Sequence, residues 1–391
     1  MTPASDNAGE FSLVCGGPLY RLMVKLRLIK PSVGELHRRI LVMAGLAWLP
    51  LLVLSLIEGR AVGGVVLPLL SDVATYAKFL LALPMVLVAE VILHRCLADA
   101  VPQFIRRGIV PPELAPRFDA AVASALRWRD SMAVELLLLA FAFVAVPLAW
   151  HQAVVPVDSW IVDVRDGRTG FTRAGWWLVH VSAPLLQFLL LRMYFRLFVW
   201  GRFLWQVSRM PLQLAPSHPD RAGGLSFLEE SVYGFAPLLF AQGISVSGLL
   251  ARRAQMLNAS VFDYKFDVAI MVVTLAVLVL LPMCLLAPRL IHLRRKALFE
   301  YGELASEYVR EFDDKWLAGS RPEEPLVGTA DVQSLADMGG SYEIVAGVRP
   351  VPFSLRAVIG LLVVAVAPFL PLVFTVYSVR DVVTRLLKMM L

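Results

Sequence analysis

A chain of 391 residues with 58% hydrophobic and 17% charged side chains lies outside the soluble globular range of roughly 45–50% apolar and ~25% charged. Surface that meets water needs more charge than this, whereas surface that meets lipid does not. The net charge of +6 does not point to nucleic acid, because the Lys and Arg residues cluster beside apolar runs, as they do at a membrane's cytoplasmic face.

The first ten residues are polar, so no cleavable leader is expected. Residues 1–39 form a basic segment that holds Arg21, Lys25, Arg27, Lys30, Arg38 and Arg39. A membrane-crossing helix needs about 20 mostly apolar residues, since each rises ~1.5 Å through ~30 Å of hydrocarbon. Seven stretches qualify, at 40–58, 77–95, 131–150, 175–199, 231–250, 267–289 and 355–378. Trp128 and Trp150 bracket the third, and Trp176-Trp177 and Trp200 the fourth, as interfacial indoles do. The fifth opens on Glu229-Glu230, and Ser226-Phe-Leu-Glu229 predicts a capping box that places the acidic pair in the first helical turn. The expected fold is all-α: a polytopic bundle of about seven spans with short amphipathic cytoplasmic helices.

Between the spans, residues 96–130 form a basic segment interrupted by Pro111-Pro112. Residues 158–173 predict a β-hairpin turning on Asp166-Gly167, with a plain loop as the alternative. The largest connection, 290–352, opens with a helix whose Leu298, Tyr301, Leu304, Tyr308, Phe312 and Trp316 recur at three- and four-residue steps and whose other face is acidic. Such a stripe packs on its own protein or, over 296–316, meets a protein partner or the membrane surface. Gly319 to Gly328 reads as a linker and Asp331 to Met338 as a second short helix. Residues 353–391 hold the last span and the C-terminal tail.

Lys and Arg gather in the N-terminal segment and in 95–130, 200–226 and 289–352, more than twice as many as in the remaining loops. By the positive-inside rule the N-terminus is cytoplasmic and, with seven spans, the C-terminus periplasmic, in a bacterial inner membrane. Cys15, Cys96 and Cys284 are too few and too scattered for a disulfide framework or a metal knuckle, and no metal or cofactor is expected. Leu83-Pro-Met85 with His94 echoes Leu281-Pro-Met283 with His292, which reads either as a duplicated unit, as in transporters, or as coincidence.

Ionisable groups inside membrane helices are the default pointers to function. Here Glu90, His94, Arg192, Arg196 and Glu229 fall at one level, near the cytoplasmic boundary, and predict a polar vestibule in which Glu90 pairs with Arg192 or Arg196 around an anionic group. The plainer alternative is helix-end charges that pair for stability. The midplane carries only neutral polar groups, among them Gln187 and Gln242. In the loop Ser217–Leu225, His218, Asp220 and Arg221 precede a Gly-Gly turn and a helix start, which reads either as an anion site or as a tight turn that fixes two helices.

That loop, together with Asp331–Met338 and Val351-Pro-Phe353, resembles an uncharacterised group of bacterial multi-pass inner-membrane proteins with a His-Pro-Asp-Arg-Ala-Gly-Gly-Leu cytoplasmic loop. The resemblance covers much of 190–390 and implies the architecture but no activity. Function therefore lies between two classes. The first is permeation or transport of a small molecule or ion, which requires a polar cavity running from the charge level to Gln187 and Gln242. The alternative is a non-catalytic membrane sensor or assembly partner that docks through the amphipathic helix. An intramembrane enzyme would need Glu90, His94 and the arginines to converge on an open cleft. The lipid bilayer is the expected surrounding, and nucleic acid is not an expected partner.

Overall fold

The computed structural model describes residues 11–14, 16–17, 36–153, 157–165, 168–257, 261–318 and 328–372. The segment around Arg21 to Lys30, the Asp166-Gly167 turn, most of the 319–328 linker and the tail beyond 372 lie outside the described residues.

Ten helices and one hairpin are described: α1 (Leu36–Ile57), α2 (Val73–Arg106), α3 (Ala115–Arg129), α4 (Met132–Ala153), β1 (Val162–Arg165), β2 (Arg168–Phe171), α5 (Arg173–Ser208), α6 (Glu229–Leu257), α7 (Lys265–Cys284), α8 (Ala287–Trp316), α9 (Ala330–Ala346) and α10 (Leu355–Leu372). Among the described residues seven helical stretches are long and apolar enough to cross a membrane, each overlapping one expected span. The protein is an all-α polytopic bundle.

Burial divides the spans. In their most apolar stretches 56% of α2, 56% of α5 and 50% of α6 is buried, against 17% of α1, 11% of α4 and 28% each of α7 and α10. The first three form the centre and the other four surround it. Leu41, Leu137, Phe266, Ile270 and Leu355 are each at least 65% exposed on the outer spans. That much exposed aliphatic surface on one chain is stable in hydrocarbon rather than in water.

Prolines shape the central helices. Pro84 and Pro184 offer no N–H to the preceding turn, and each follows a π-helical stretch, Ala77–Ala82 and Leu178–Ser182, whose widened turn accommodates the ring. The Leu-Pro-Met echo does not extend to local structure. Pro84 opens a continuous helix that carries His94, whereas Pro282 lies at the end of α7 and His292 belongs to α8.

The two ends of the bundle differ. At the hairpin end, β1 and β2 pair antiparallel, Val162 opposite Phe171 through Arg165 opposite Arg168. Arg60 fastens the hairpin through Asp158 (2.8 Å), Asp163 (2.5 Å) and the Ser159 carbonyl (2.8 Å). Behind it, the fully buried Asp72 caps the start of α2, accepts from the Trp160 indole (2.9 Å) and binds Arg252 at 3.0 and 2.5 Å.

At the opposite, basic end, Phe104, Phe118, Phe203 and Phe227 make edge-on contacts with centroids 5.1–6.3 Å apart. Phe11 stacks obliquely on this group at 5.5 Å from Phe203. All but Phe227 are at most 1% exposed, so truncating any one of those to Ala removes about 3–5 kcal/mol. This knot holds α2, α3, α5 and the start of α6 together and sets the floor beneath the charged groups.

Candidate functional site

Glu90 sits on α2 with 1% of its side chain exposed. Its carboxylate is the common acceptor of a buried ionic cluster. Arg39 of α1 donates to Oε2, Arg196 of α5 donates to Oε1 at 2.7 Å, and Arg192, one turn earlier on α5, lies 3.5 Å from the same oxygen. Glu135, at the start of α4, faces Arg192 Nε at 3.4 Å. The helical spacing explains the pairing: residues four apart on α5 share one face, and α1 begins at the level where the expected vestibule lay. A charge taken out of water costs several kcal/mol unless paired and hydrogen-bonded. Three arginines on one carboxylate offset that cost for Glu90.

A short segment ahead of α1 closes the cluster. Phe11, Leu13 and Val14 are buried. The Leu13 carbonyl accepts from Arg196 Nε (3.1 Å) and the Ser12 carbonyl from Arg129 Nη1 (2.6 Å), while the Gly17 N–H donates to Asp130 (2.7 Å). Beneath it lies a cavity of about 30 Å³ bordered by Leu13, Gly17, Arg129, Glu135, Arg192 and Arg196. Neither Gln187 nor Gln242 borders it.

The expected vestibule therefore divides. Glu90, Arg192 and Arg196 come together. His94 is half-buried with no hydrogen bond at Nδ1, and Glu229 belongs to another polar group. The midplane hydroxyls serve the helices themselves: Ser182 donates to the Ala47 carbonyl (2.7 Å), Ser247 to that of Pro368 (2.7 Å) and Ser245 to that of Ala241 (3.0 Å). Gln187 and Gln242 are both half-buried; the Gln242 side-chain oxygen is buried without a partner.

The loop 217–225 forms the second polar group. The Asp220 carboxylate accepts from the backbone N–H of Ala222 (2.8 Å), Gly224 (3.1 Å) and Ser226 (3.1 Å). These are the donors an external anion would have used, so the loop carries its own. His218 Nδ1 lies 2.9 Å from the same carboxylate. Burial pushes the Asp220 carboxyl up, but the three N–H groups outweigh it and hold it below the ordinary carboxylate range. Arg221 adopts φ 52, Gly223 φ 64 and Gly224 φ 95, so the chain reverses through left-handed conformations that glycine adopts freely and arginine does not.

The expected capping box is not formed, and the reason is visible here. Asp220 takes the Ser226 N–H, and Glu229 turns away to accept from the backbone N–H and hydroxyl of Ser354, both at 2.8 Å. Arg349 lies 3.8 Å from Glu229 and donates to the Asp220 carbonyl (3.1 Å); its own N–H bonds the Arg221 carbonyl (2.8 Å). Leu290 and Leu293 of α8 close on Gly223 from the other side, and Arg289 Nε donates to the Ser208 carbonyl at the end of α5 (2.6 Å). The loop thus ties together the root by which α8 leaves the bundle and the root by which the chain returns from α9.

Beyond those roots α8 and α9 pack on each other. The Tyr308 hydroxyl donates to the Asp331 carbonyl (3.1 Å), and the Trp316 indole and Lys315 meet the Asp331 carboxylate at 3.0 and 2.7 Å. The predicted stripe is half-buried, with Tyr308 and Trp316 held on Asp331 of α9, and Leu304 is 49% exposed. The second helix runs over Ala330–Ala346, longer than the Asp331–Met338 expected, and passes through the Gly339-Gly340 pair although glycine disfavours a helix interior.

Sequence reasoning passed over Arg39, Arg129 and the Asp72–Arg252 pair. In the sequence Arg39 reads only as one of the charges that set orientation, although its place at the first turn of α1 puts it level with Glu90. Among the described residues no three His, Cys, Asp or Glu side chains gather as a metal site would need.

Fold and polar groups together define a polytopic integral membrane protein whose central helices carry a buried arginine–glutamate cluster and whose basic end bears a tied helical hairpin. No family model matches the chain, and neither a curated protein nor a solved structure matches it.

Proposed function

We propose that this is a bacterial inner-membrane protein, N-terminus cytoplasmic and C-terminus periplasmic, that acts without catalysis by presenting the α8–α9 hairpin to a protein partner. The basic connections support that orientation, and the loop's resemblance to bacterial inner-membrane proteins agrees with it. The observation that carries the reading is how the hairpin is held: α8 and α9 pack on each other, and both roots are fixed to the bundle through 217–225, Arg289 and Glu229. A surface element fastened this firmly at its base presents its far face in a defined place.

The chemistry of that face points to the partner. Glu303, Glu307 and Glu311 stand exposed at successive four-residue steps, with Asp314 beside them. Like charges so spaced cost an isolated helix about 0.2–0.5 kcal/mol each, and an acidic face is repelled by anionic lipid headgroups. A basic protein surface offsets both. Permeation is less well supported, since the cavity at the cluster stops short of Gln187 and Gln242 and the midplane hydroxyls bond backbone.

The test is photo-crosslinking in cells from a probe at Ser306. The reading expects one predominant protein adduct, lost when Glu303, Glu307 and Glu311 are replaced by Lys while the protein still reaches the membrane. An adduct indifferent to the charge reversal, or none from Ser306 when a control probe on α4 behaves alike, would overturn it.

A further inference from the structure

We infer that the cavity beneath residues 11–14 and 16–17 is a binding site for one small monovalent inorganic anion of halide size, held chiefly by Arg192. The first ground is charge. Arg39, Arg192 and Arg196 face Glu90 and Glu135, and Arg129 is paired with Asp130 at 2.6 Å. Among the described residues this leaves one positive charge in excess, on side chains of which Arg39, Arg192 and Arg196 are each less than 10% exposed. An uncompensated charge so buried is costly, and a bound counter-ion offsets it.

The second ground is an orphaned donor. Arg192 stands 3.5 Å from Glu90 and 3.4 Å from Glu135, beyond the roughly 2.7–2.9 Å of a charge-assisted hydrogen bond. Its buried Nη1 has no hydrogen-bond partner. Arg196, by contrast, is fully engaged with Glu90 and the Leu13 carbonyl. The Arg39 Nε is also buried without a partner, but of the two only Arg192 borders the cavity, so the free donor that faces it belongs to Arg192.

The third ground is size. At about 30 Å³ the space is roughly twice the ~10–15 Å³ that one water-sized sphere needs. An ion of halide size fits. The Glu135 carboxylate also borders the space and would repel a divalent anion more strongly than a monovalent one. Leu13, Gly16 and Gly17 border the site, and the Ser12 and Leu13 carbonyls are themselves bonded to Arg129 and Arg196. Occupancy and the closure of this segment therefore support each other.

The experiment uses the intact protein in detergent. Its thermal midpoint is followed as sodium gluconate is exchanged for sodium chloride or bromide at constant ionic strength. A halide bound only by the folded protein raises the midpoint with the logarithm of its concentration above Kd, by about 3 °C at a hundredfold excess. Arg192→Gln removes that dependence, and Arg192→Lys, which keeps the charge, retains part of it. Should Arg192→Gln not fold, anomalous scattering from bromide-grown crystals of the unaltered protein decides: a peak between Arg192 and Gly17 supports the site. A midpoint that responds equally to gluconate and halide, or a cavity holding water alone, overturns it.

Discussion

Replacing Glu90 by Gln keeps shape and removes charge, and the structure sets the scale of the result. Gln cannot serve three guanidinium groups, so Arg39, Arg192 and Arg196 would face only Glu135. Breaking a buried pair by removing one partner costs about 3–5 kcal/mol, because an uncompensated charge remains. For a chain of 391 residues, an unfolding entropy of about 2.1 cal/mol/K per residue amounts to roughly 0.8 kcal/mol/K. The expected loss is therefore about 4–6 °C in midpoint, read by thermal unfolding in detergent. A second substitution, Arg196→Gln, should restore part of that loss in the Glu90→Gln background while being destabilising alone, since it removes one stranded charge. A midpoint within about 1 °C of the parent, or two strictly additive losses, would show that the cluster does not act as a unit.

Three further outcomes follow from other contacts. Asp220 is held below the ordinary carboxylate range, so its contribution is complete above pH about 4 and is lost as pH falls through the lower folded value. Hairpin protection in hydrogen exchange should fall in that acidic window, and Asp220→Asn should flatten the dependence. Asp72→Asn strands Arg252 and leaves the Trp160 indole with a poorer acceptor, which should lower the midpoint by an amount similar to Glu90→Gln; proteolysis at the hairpin end should rise with it. A methyl group at Gly243 would fall 2.8 Å from the Ala365 carbonyl, so Gly243→Ala must push α10 off α6 at a cost of about 1–3 kcal/mol. Cross-linking between cysteines placed on those two helices would report the separation.

Much of the fold was legible because hydrocarbon imposes a one-dimensional rule: length and apolarity alone mark a span, and each of the seven expected stretches overlaps a helix. The boundaries drifted where polar residues extend helices beyond the apolar core, as α2 continues through Arg95 to Arg106. Depth along a span gave the level at which Glu90, Arg192 and Arg196 meet, because α5 brings residues four apart to one face. Which helix supplied the remaining partner was not legible. Arg39 reaches Glu90 across 51 positions, and no periodicity reports such a contact. The same limit hid Asp72–Arg252. The capping box failed for a related reason: Ser226-x-x-Glu229 is a local pattern, and it yielded to Asp220 and Ser354, which approach from outside it. The acidic helix was readable as amphipathic, but its packing partner, α9, emerges only when the chain folds back through the linker.

The proposed orientation sets this bundle in a bilayer with the α8–α9 hairpin on the cytoplasmic side and β1–β2 on the other. In a version with Cys15, Cys96 and Cys284 replaced by Ser, single cysteines at Ser306 and Arg168 can be treated with a membrane-impermeant maleimide on intact cells. The prediction is labelling at Arg168→Cys without permeabilisation and labelling at Ser306→Cys only after it. Labelling of Ser306→Cys from outside, or of both positions alike, would contradict the orientation on which the partner reading rests.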